Sequence, residues 1–139
     1  CDNIVAVKEA SGNMTQIEDI IKNKPAHFDV ISGDDGITFP LITMGAAGVI
    51  SVIGNALPKE FSRMVCLALN GDYKNALAIH HQFSELFKLL FVDGNPAGVK
   101  AMLNSMGLIQ NVLRLPLVPS RISTFEKISA IIKELNVKC

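Results

Sequence analysis

Residues 4–8, 28–32 and 48–52 are short, almost unbroken apolar runs, and between them apolar positions recur at three-and-four spacing. The runs predict buried strands and the spaced positions predict amphipathic helices. Asn13 is placed to cap the first helix, with Gln16 in the capping-box position and Ile17, Ile20 and Ile21 on one face. Pro25 ends that helix. After the second run comes a tight acidic loop, Gly33-Asp34-Asp35-Gly36, and residues 37–44 read as a short helix closed by Gly45. Strands alternating with helices in this order predict parallel βαβ units buried on both faces.

From Pro58 onward the pattern is entirely helical. Pro58 suits a first helical position, and Phe61, Met64, Val65 and Leu69 form a stripe that Gly71 interrupts. Asp72 can cap a long helix carrying Tyr73, Leu77, His80, Phe83, Leu86, Phe87, Leu90 and Phe91. Asn95-Pro96 opens another helix, which Gly107 stops. A linker punctuated by Pro116 and Pro119 leads to a last helix, for which Ser123 and Glu126 have capping-box spacing. The pattern divides the chain into residues 1–56, which carry the strands, and residues 57–139, which are helical.

Composition narrows the function classes. The 139 residues carry a formal net charge of zero, and only 19% are charged. There is no basic stripe for nucleic acid, and aromatics are too sparse for base stacking. The mean hydropathy of +0.34 and the 49% hydrophobic content exceed what a core of this size absorbs, so further apolar surface is expected to be covered by more chain or a partner subunit. Cys1, Cys66 and Cys139 are widely spaced and form no CxxC pair. They indicate a reduced, cytoplasmic protein without disulfides or structural zinc. No apolar run is long enough to span a bilayer. Starting at Cys1, almost on a strand, the chain reads as a piece of a longer protein.

Candidate chemistry sits where parallel α/β folds place it, at the carboxyl ends of the strands. Lys8 ends the first run and leads into Glu9-Ala10-Ser11-Gly12. The second run ends at Ser32-Gly33-Asp34-Asp35, and the third passes from Ser51 to Asn55. Burial of a lysine favours its free amine, which can attack a carbonyl. The alternative is a lysine that snorkels to solvent at a strand end. An amine, small residues and a carboxylate pair on one face are what a class I aldolase requires. Asp34 and Asp35 can equally be loop and cap residues, since carboxylates favour helix N-termini. A metal pair would want further ligands, and only Glu9 is near. His80 and His81 fall mid-helix, where structural roles are expected.

Four motifs carry a resemblance. Val7-Lys8-Glu9-Ala10-Ser11-Gly12, Ser32-Gly33-Asp34-Asp35, Gly48-Val49-Ile50-Ser51-Val52 with Asn55, and Asn95-Pro96-x-x-Val99-Lys100 occur in the order seen in the dihydrodipicolinate synthase family, of the N-acetylneuraminate lyase superfamily. The chain resembles the C-terminal half of such an enzyme. The resemblance implies an α/β fold made of about strands 6–8 of a (β/α)8 TIM barrel in residues 1–56. The last barrel helix and a helical C-terminal domain would then occupy residues 57–139.

It also implies a Schiff-base condensation of pyruvate with aspartate semialdehyde, as in lysine and diaminopimelate biosynthesis, with no cofactor beyond the covalent imine. Lys8 matches the imine-forming lysine, Ile50 the residue whose carbonyl lines the pyruvate site, and Gly33 the glycine beside the keto acid. Asp34 and Asp35 match the region where the semialdehyde approaches. The resemblance further implies a homo-oligomer, a tetramer or dimer of dimers in full-length form. The family's proton-relay tyrosine matches nothing here, Tyr73 included, so the chain by itself is expected to be inactive. A related 2-keto-acid aldolase and a non-catalytic oligomerisation module are the competing readings.

Overall fold

The computed structural model describes residues 1–135. Three parallel strands, β1 (Ala6–Glu9), β2 (Asp29–Ser32) and β3 (Gly48–Val49), form one sheet in the order β1-β2-β3. Helix α1 (Met14–Asn23) connects the first pair, and α2 (Thr38–Thr43), preceded by a 3₁₀ turn at Asp35–Ile37, connects the second. Packing divides the chain into two compact units, Cys1–Gln82 and Phe83–Cys139. The 56/57 boundary drawn from the pattern falls inside the first unit, because α3 (Pro58–Leu69) lies against α2 and the end of β3.

Local chemistry explains most element ends. Asn13 is the N-cap of α1 and its side chain accepts from Gln16 N at 3.2 Å, relieving one of the unpaired amides of the first turn. Lys24, before Pro25, is extended and closes the helix. Gly45, after α2, has φ +109°, a conformation that glycine adopts at no steric cost. Pro58 opens α3, and Asp72 accepts from Asn75 N at 3.3 Å at the start of α4 (Tyr73–Val92).

The third strand and the last helix depart from expectation. The third strand is two residues long rather than five, because the chain leaves the ladder after Ile50 and enters a 3₁₀ turn at Ile53–Asn55. The last helix, α6 (Ile122–Leu135), starts one residue before the expected cap at Ser123: Arg121 supplies the carbonyl that receives Thr124 N and Phe125 N. The cap function passes to Asp93, whose carboxylate accepts from Arg121 N at 3.0 Å and Arg121 Nε at 2.6 Å.

The core of the first unit lies on one face of the sheet. Val30 is fully buried with Ile17 of α1, Leu41 of α2 and Ala46, and Val7, Ile20, Ile21 and Ile37 pack around them. Side chains alternate along a strand, so Ala6, Lys8, Asp29 and Ile31 occupy the opposite face. That face is not buried as expected: Lys8 and Asp29 are exposed, and Ile31 is half-buried. Among the described residues the helices α1 and α2 cover one side of the sheet. In the second unit, α5 (Ala97–Ser105) packs against α6, with Met102, Ile128 and Leu90 fully buried.

The Asp93 cluster makes the second unit's stability depend on pH. The Thr124 hydroxyl, then the backbone N–H and guanidinium of Arg121, hold the Asp93 carboxyl below its usual range. A folded pKa below the unfolded one gives stability that is present above the unfolded value and lost as pH falls through the folded value. Asp93→Asn is therefore expected to lower stability near neutral pH and to flatten the acid limb, the two proteins converging in acid. Denaturant midpoints measured across the acid range check this.

Candidate active site

The carboxyl ends of the three strands are joined by backbone bonds. Gly33 N donates to the Glu9 carbonyl at 2.7 Å, and Ile50 N donates to the Ser32 carbonyl at 2.9 Å. The strand register places Lys8 beside Ile31, and Ile31 beside Gly48. Lys8, Gly33 and Ile50 therefore follow one another across the open face of the sheet. The Lys8 side chain lies over Gly33, for a Cβ built on that glycine would stand 2.8 Å from Lys8 Cε and 2.6 Å from Ala10 Cβ. The lysine expected to be buried is exposed in this chain, and Ile50 is 53% exposed. The reason is that nothing among the described residues covers this face.

Glu9, next to the lysine, points the other way. It is 8% exposed, and its carboxylate accepts from Ser11 N at 3.1 Å and from Gln16 Nε2 at 3.5 Å. The carboxylate thus ties the turn after β1 to the first turn of α1, and the segment bearing Lys8 and Ala10 is held at both ends.

The acidic pair divides its work. Asp34 caps the 3₁₀ turn, its carboxylate accepting from Gly36 N at 2.9 Å. Asp35 is 2% exposed and reaches across to the loop after β3, accepting from Val52 N at 3.0 Å and Ile53 N at 2.7 Å. Burial pushes the Asp35 carboxyl above the usual carboxylate range. The amides of Ile53 and Val52 and the Ser51 hydroxyl oppose that shift, and the charge of Asp34 adds to it.

Beneath the pair lies a hydroxyl cluster that the sequence pattern did not single out. Thr38 Oγ1 stands 3.0 Å from Ser32 Oγ and 2.8 Å from the Asp34 carbonyl, and Ser32 Oγ donates to the same carbonyl at 2.9 Å. Both hydroxyls are fully buried. A serine before the glycine and a threonine at the start of α2 were the available signals.

Other candidates lie apart from this arrangement. Tyr73 packs edge-on against Phe39 at 6.4 Å, and His80 is half-buried 5.7 Å from the same ring. Burial, and then His81, lower the His80 pKa. Lys100 donates to the Val112 carbonyl. Cys1 and Cys66 are exposed thiols, and Cys139 lies outside the described residues. No cluster of three or more His, Cys, Asp or Glu suited to a metal occurs among the described residues. No helix among them is long and apolar enough to cross a membrane. A cavity of about 510 Å³ opens along β3 between Ser51, Gly54, Phe61 and Val65, and Lys8 is not part of its lining.

Comparison with known proteins gives the arrangement a family context. The model of the dihydrodipicolinate synthetase family matches residues 1–135. A 4-hydroxy-tetrahydrodipicolinate synthase from Phocaeicola vulgatus is 78% identical over 137 residues, covering 99% of this chain and 46% of the relative. The crystal structure of dihydrodipicolinate synthase from Aquifex aeolicus superposes with a TM-score of 0.93 at 40% identity, over 98% of this chain and 46% of that one. The chloride-inhibited synthase from Acinetobacter baumannii, solved in complex with pyruvate, gives 0.91 at 33% identity, over 98% and 47% of the two chains. The chain thus spans about half the length of the relatives it matches.

Proposed function

Because the chain belongs to the dihydrodipicolinate synthetase family, we propose that it carries the imine-forming half of a 4-hydroxy-tetrahydrodipicolinate synthase. Lys8 is the nucleophile. Its free amine adds to the keto carbon of pyruvate and water leaves, giving an imine. Loss of a methyl proton gives the enamine, whose carbon attacks the aldehyde of aspartate semialdehyde. Attack of the adduct's own amine on the imine carbon closes the ring and releases Lys8. Covalent capture of this kind splits one difficult condensation into easier steps.

The observation that carries the reading is the placement of the Lys8 side chain over Gly33, at the joined ends of three parallel strands. A glycine there leaves room for both the amine and a small keto acid. The Ile50 carbonyl forms the opposite wall, and Asp34 and Asp35 shape the loops that border the semialdehyde's approach.

In this reading β1, β2 and β3 are strands 6–8 of a (β/α)8 barrel. The rest of that barrel provides the proton relay and the pyruvate-carboxylate clamp. A relay of this type contributes typically about 10²–10⁴-fold, so it belongs to the working enzyme. We include homo-oligomeric assembly in the proposal, supported by the apolar side chains left exposed on the second unit, Leu115, Val118 and Ile122.

Borohydride reduction in the presence of pyruvate tests the assignment. The expected result, in the complete barrel that this reading requires, is one added three-carbon unit per subunit, on the peptide that contains Lys8. A pyruvate adduct on any other lysine defeats the assignment.

A further inference from the structure

We infer that Asp35 is a positioning residue that sets the Ile50 wall of the keto-acid site. The inference rests on the reading of Lys8 as the imine-forming lysine. Its starting point is the shortness of β3. The strand has two residues, and the last ladder bond is Ile50 N to the Ser32 carbonyl. The sheet therefore orients the Ile50 amide but leaves its carbonyl, which belongs to the next peptide unit, without a ladder partner. The direction of that carbonyl depends on what holds residues 51–53.

Asp35 holds them. Its carboxylate binds Val52 N and Ile53 N, and it also receives the Ser51 hydroxyl. Ser51 Oγ is in turn 2.8 Å from Gly54 N. Asn55 Nδ2 also donates to the Ser51 and Val52 carbonyls, at 3.2 and 3.0 Å, from within the same turn, so Asp35 is the group that ties this turn to the Gly33 side. At its other end Asp35 is two residues from Gly33, on a segment immobilised by the Ser32–Thr38–Asp34 hydrogen bonds. One buried side chain thus sets the spacing between the Gly33 side and the Ile50 side of the site.

A neutral side chain or water could satisfy two amides at a 3₁₀ turn. Burying a carboxylate for that purpose carries a desolvation cost, and a charged acceptor gives stronger and more directional bonds in return. That trade suits a wall whose position matters for binding.

The test uses Asp35→Asn in the intact protein, titrated with pyruvate and trapped with borohydride. The amide keeps the shape but loses the charged acceptor. The half-saturating pyruvate concentration is expected to rise roughly 10- to 100-fold. The Lys8 adduct at saturating pyruvate is expected to stay near that of the unsubstituted protein, because Lys8 and Gly33 keep their places. A lower melting temperature with an unshifted pyruvate requirement overturns the inference, since a purely structural brace would behave that way. Loss of trapping at saturation by a folded variant also overturns it.

Should Asp35→Asn fail to fold, Ser51→Ala removes one of the three Asp35 contacts, together with the Gly54 N bond to Ser51 Oγ, and leaves both amide bonds to Asp35. It is expected to shift half-saturation a few-fold in the same direction, and no shift overturns the inference. The unsubstituted protein separates the two levels of argument. If it forms no adduct at Lys8, the functional reading fails. If it does, and Asp35→Asn behaves identically, only the role of Asp35 fails.

Discussion

Lys8→Arg is expected to reduce pyruvate trapping to background while leaving the fold intact, and Gly33→Ala is expected to come close to that result with the lysine still present. The first substitution keeps the positive charge but removes the proposed nucleophile, because a guanidinium holds its proton and cannot form the imine. Lys8 is exposed on an open sheet face, so the longer side chain meets no packing constraint among the described residues.

The second substitution acts through geometry. An added Cβ at Gly33 would stand 2.6 Å from Ala10 Cβ, 2.8 Å from Lys8 Cε and 3.1 Å from the Glu9 carbonyl. Ala10 is held through the neighbouring Glu9 carboxylate and its bonds to Ser11 and Gln16, and the Glu9 carbonyl is engaged by Gly33 itself. The flexible lysine gives way first, and the backbone at Ala10, whose Cβ has no rotamer to change, must shift as well. A displacement of about 1 Å at a reacting group can lower the rate by about 10²-fold, and trapping kinetics at fixed pyruvate should show a loss of that order. Overpacking here costs about 1–3 kcal/mol of stability, which a melting curve would register separately. Unchanged trapping in Gly33→Ala would show that the amine reacts from a position other than over this glycine.

The residues that carry this site differed in how readily the chain revealed them. Lys8 and Gly33 fall where the strand pattern directs attention, because parallel strands end where apolar runs end and chemistry collects at those ends, whereas Ile50 is singled out only by the family resemblance. Helix starts at Asn13, Pro58 and Asp72 were legible because each depends on a local cap or a proline at the first turn. What pattern reading could not supply were contacts between distant segments. Asp35 looked like a loop or substrate residue because its partners, the amides of Val52 and Ile53, are backbone groups 17 and 18 residues away. Backbone amides leave no signature in side-chain identity. The exposure of Lys8 was hidden for a related reason: burial of a strand needs a second layer, and an apolar run does not say whether that layer is present. The start of α6 differs from the expected one because Ser123-x-x-Glu126 imitates a capping box, whereas Asp93 performs the capping from the end of α4.

The second unit supplies the largest expected stability effect, at Gly98. Glycine inside a helix is normally a weakness, and alanine there would ordinarily stabilise by about 1 kcal/mol. In α5 the opposite is expected. A Cβ on Gly98 would lie 2.3 Å from the Leu90 carbonyl oxygen and 2.6 Å from both Leu90 C and Cα, all of them backbone atoms of α4. A side chain can change rotamer to admit a methyl group, but a helix backbone can only translate. Relief requires the two helices to part by roughly 1 Å along a seam that contains the fully buried Leu90 and Met102. Packing lost along the seam adds to the strain, so Gly98→Ala should cost about 3 kcal/mol or more, at the upper end for overpacked cores. Gly107→Ala is the control in the same unit. Its φ of +75° penalises alanine by about 1–2 kcal/mol, but nothing lies within 4 Å of the added methyl. Thermal or denaturant unfolding should therefore rank Gly98→Ala well below Gly107→Ala. Equal midpoints would mean that α5 does not approach the α4 backbone this closely.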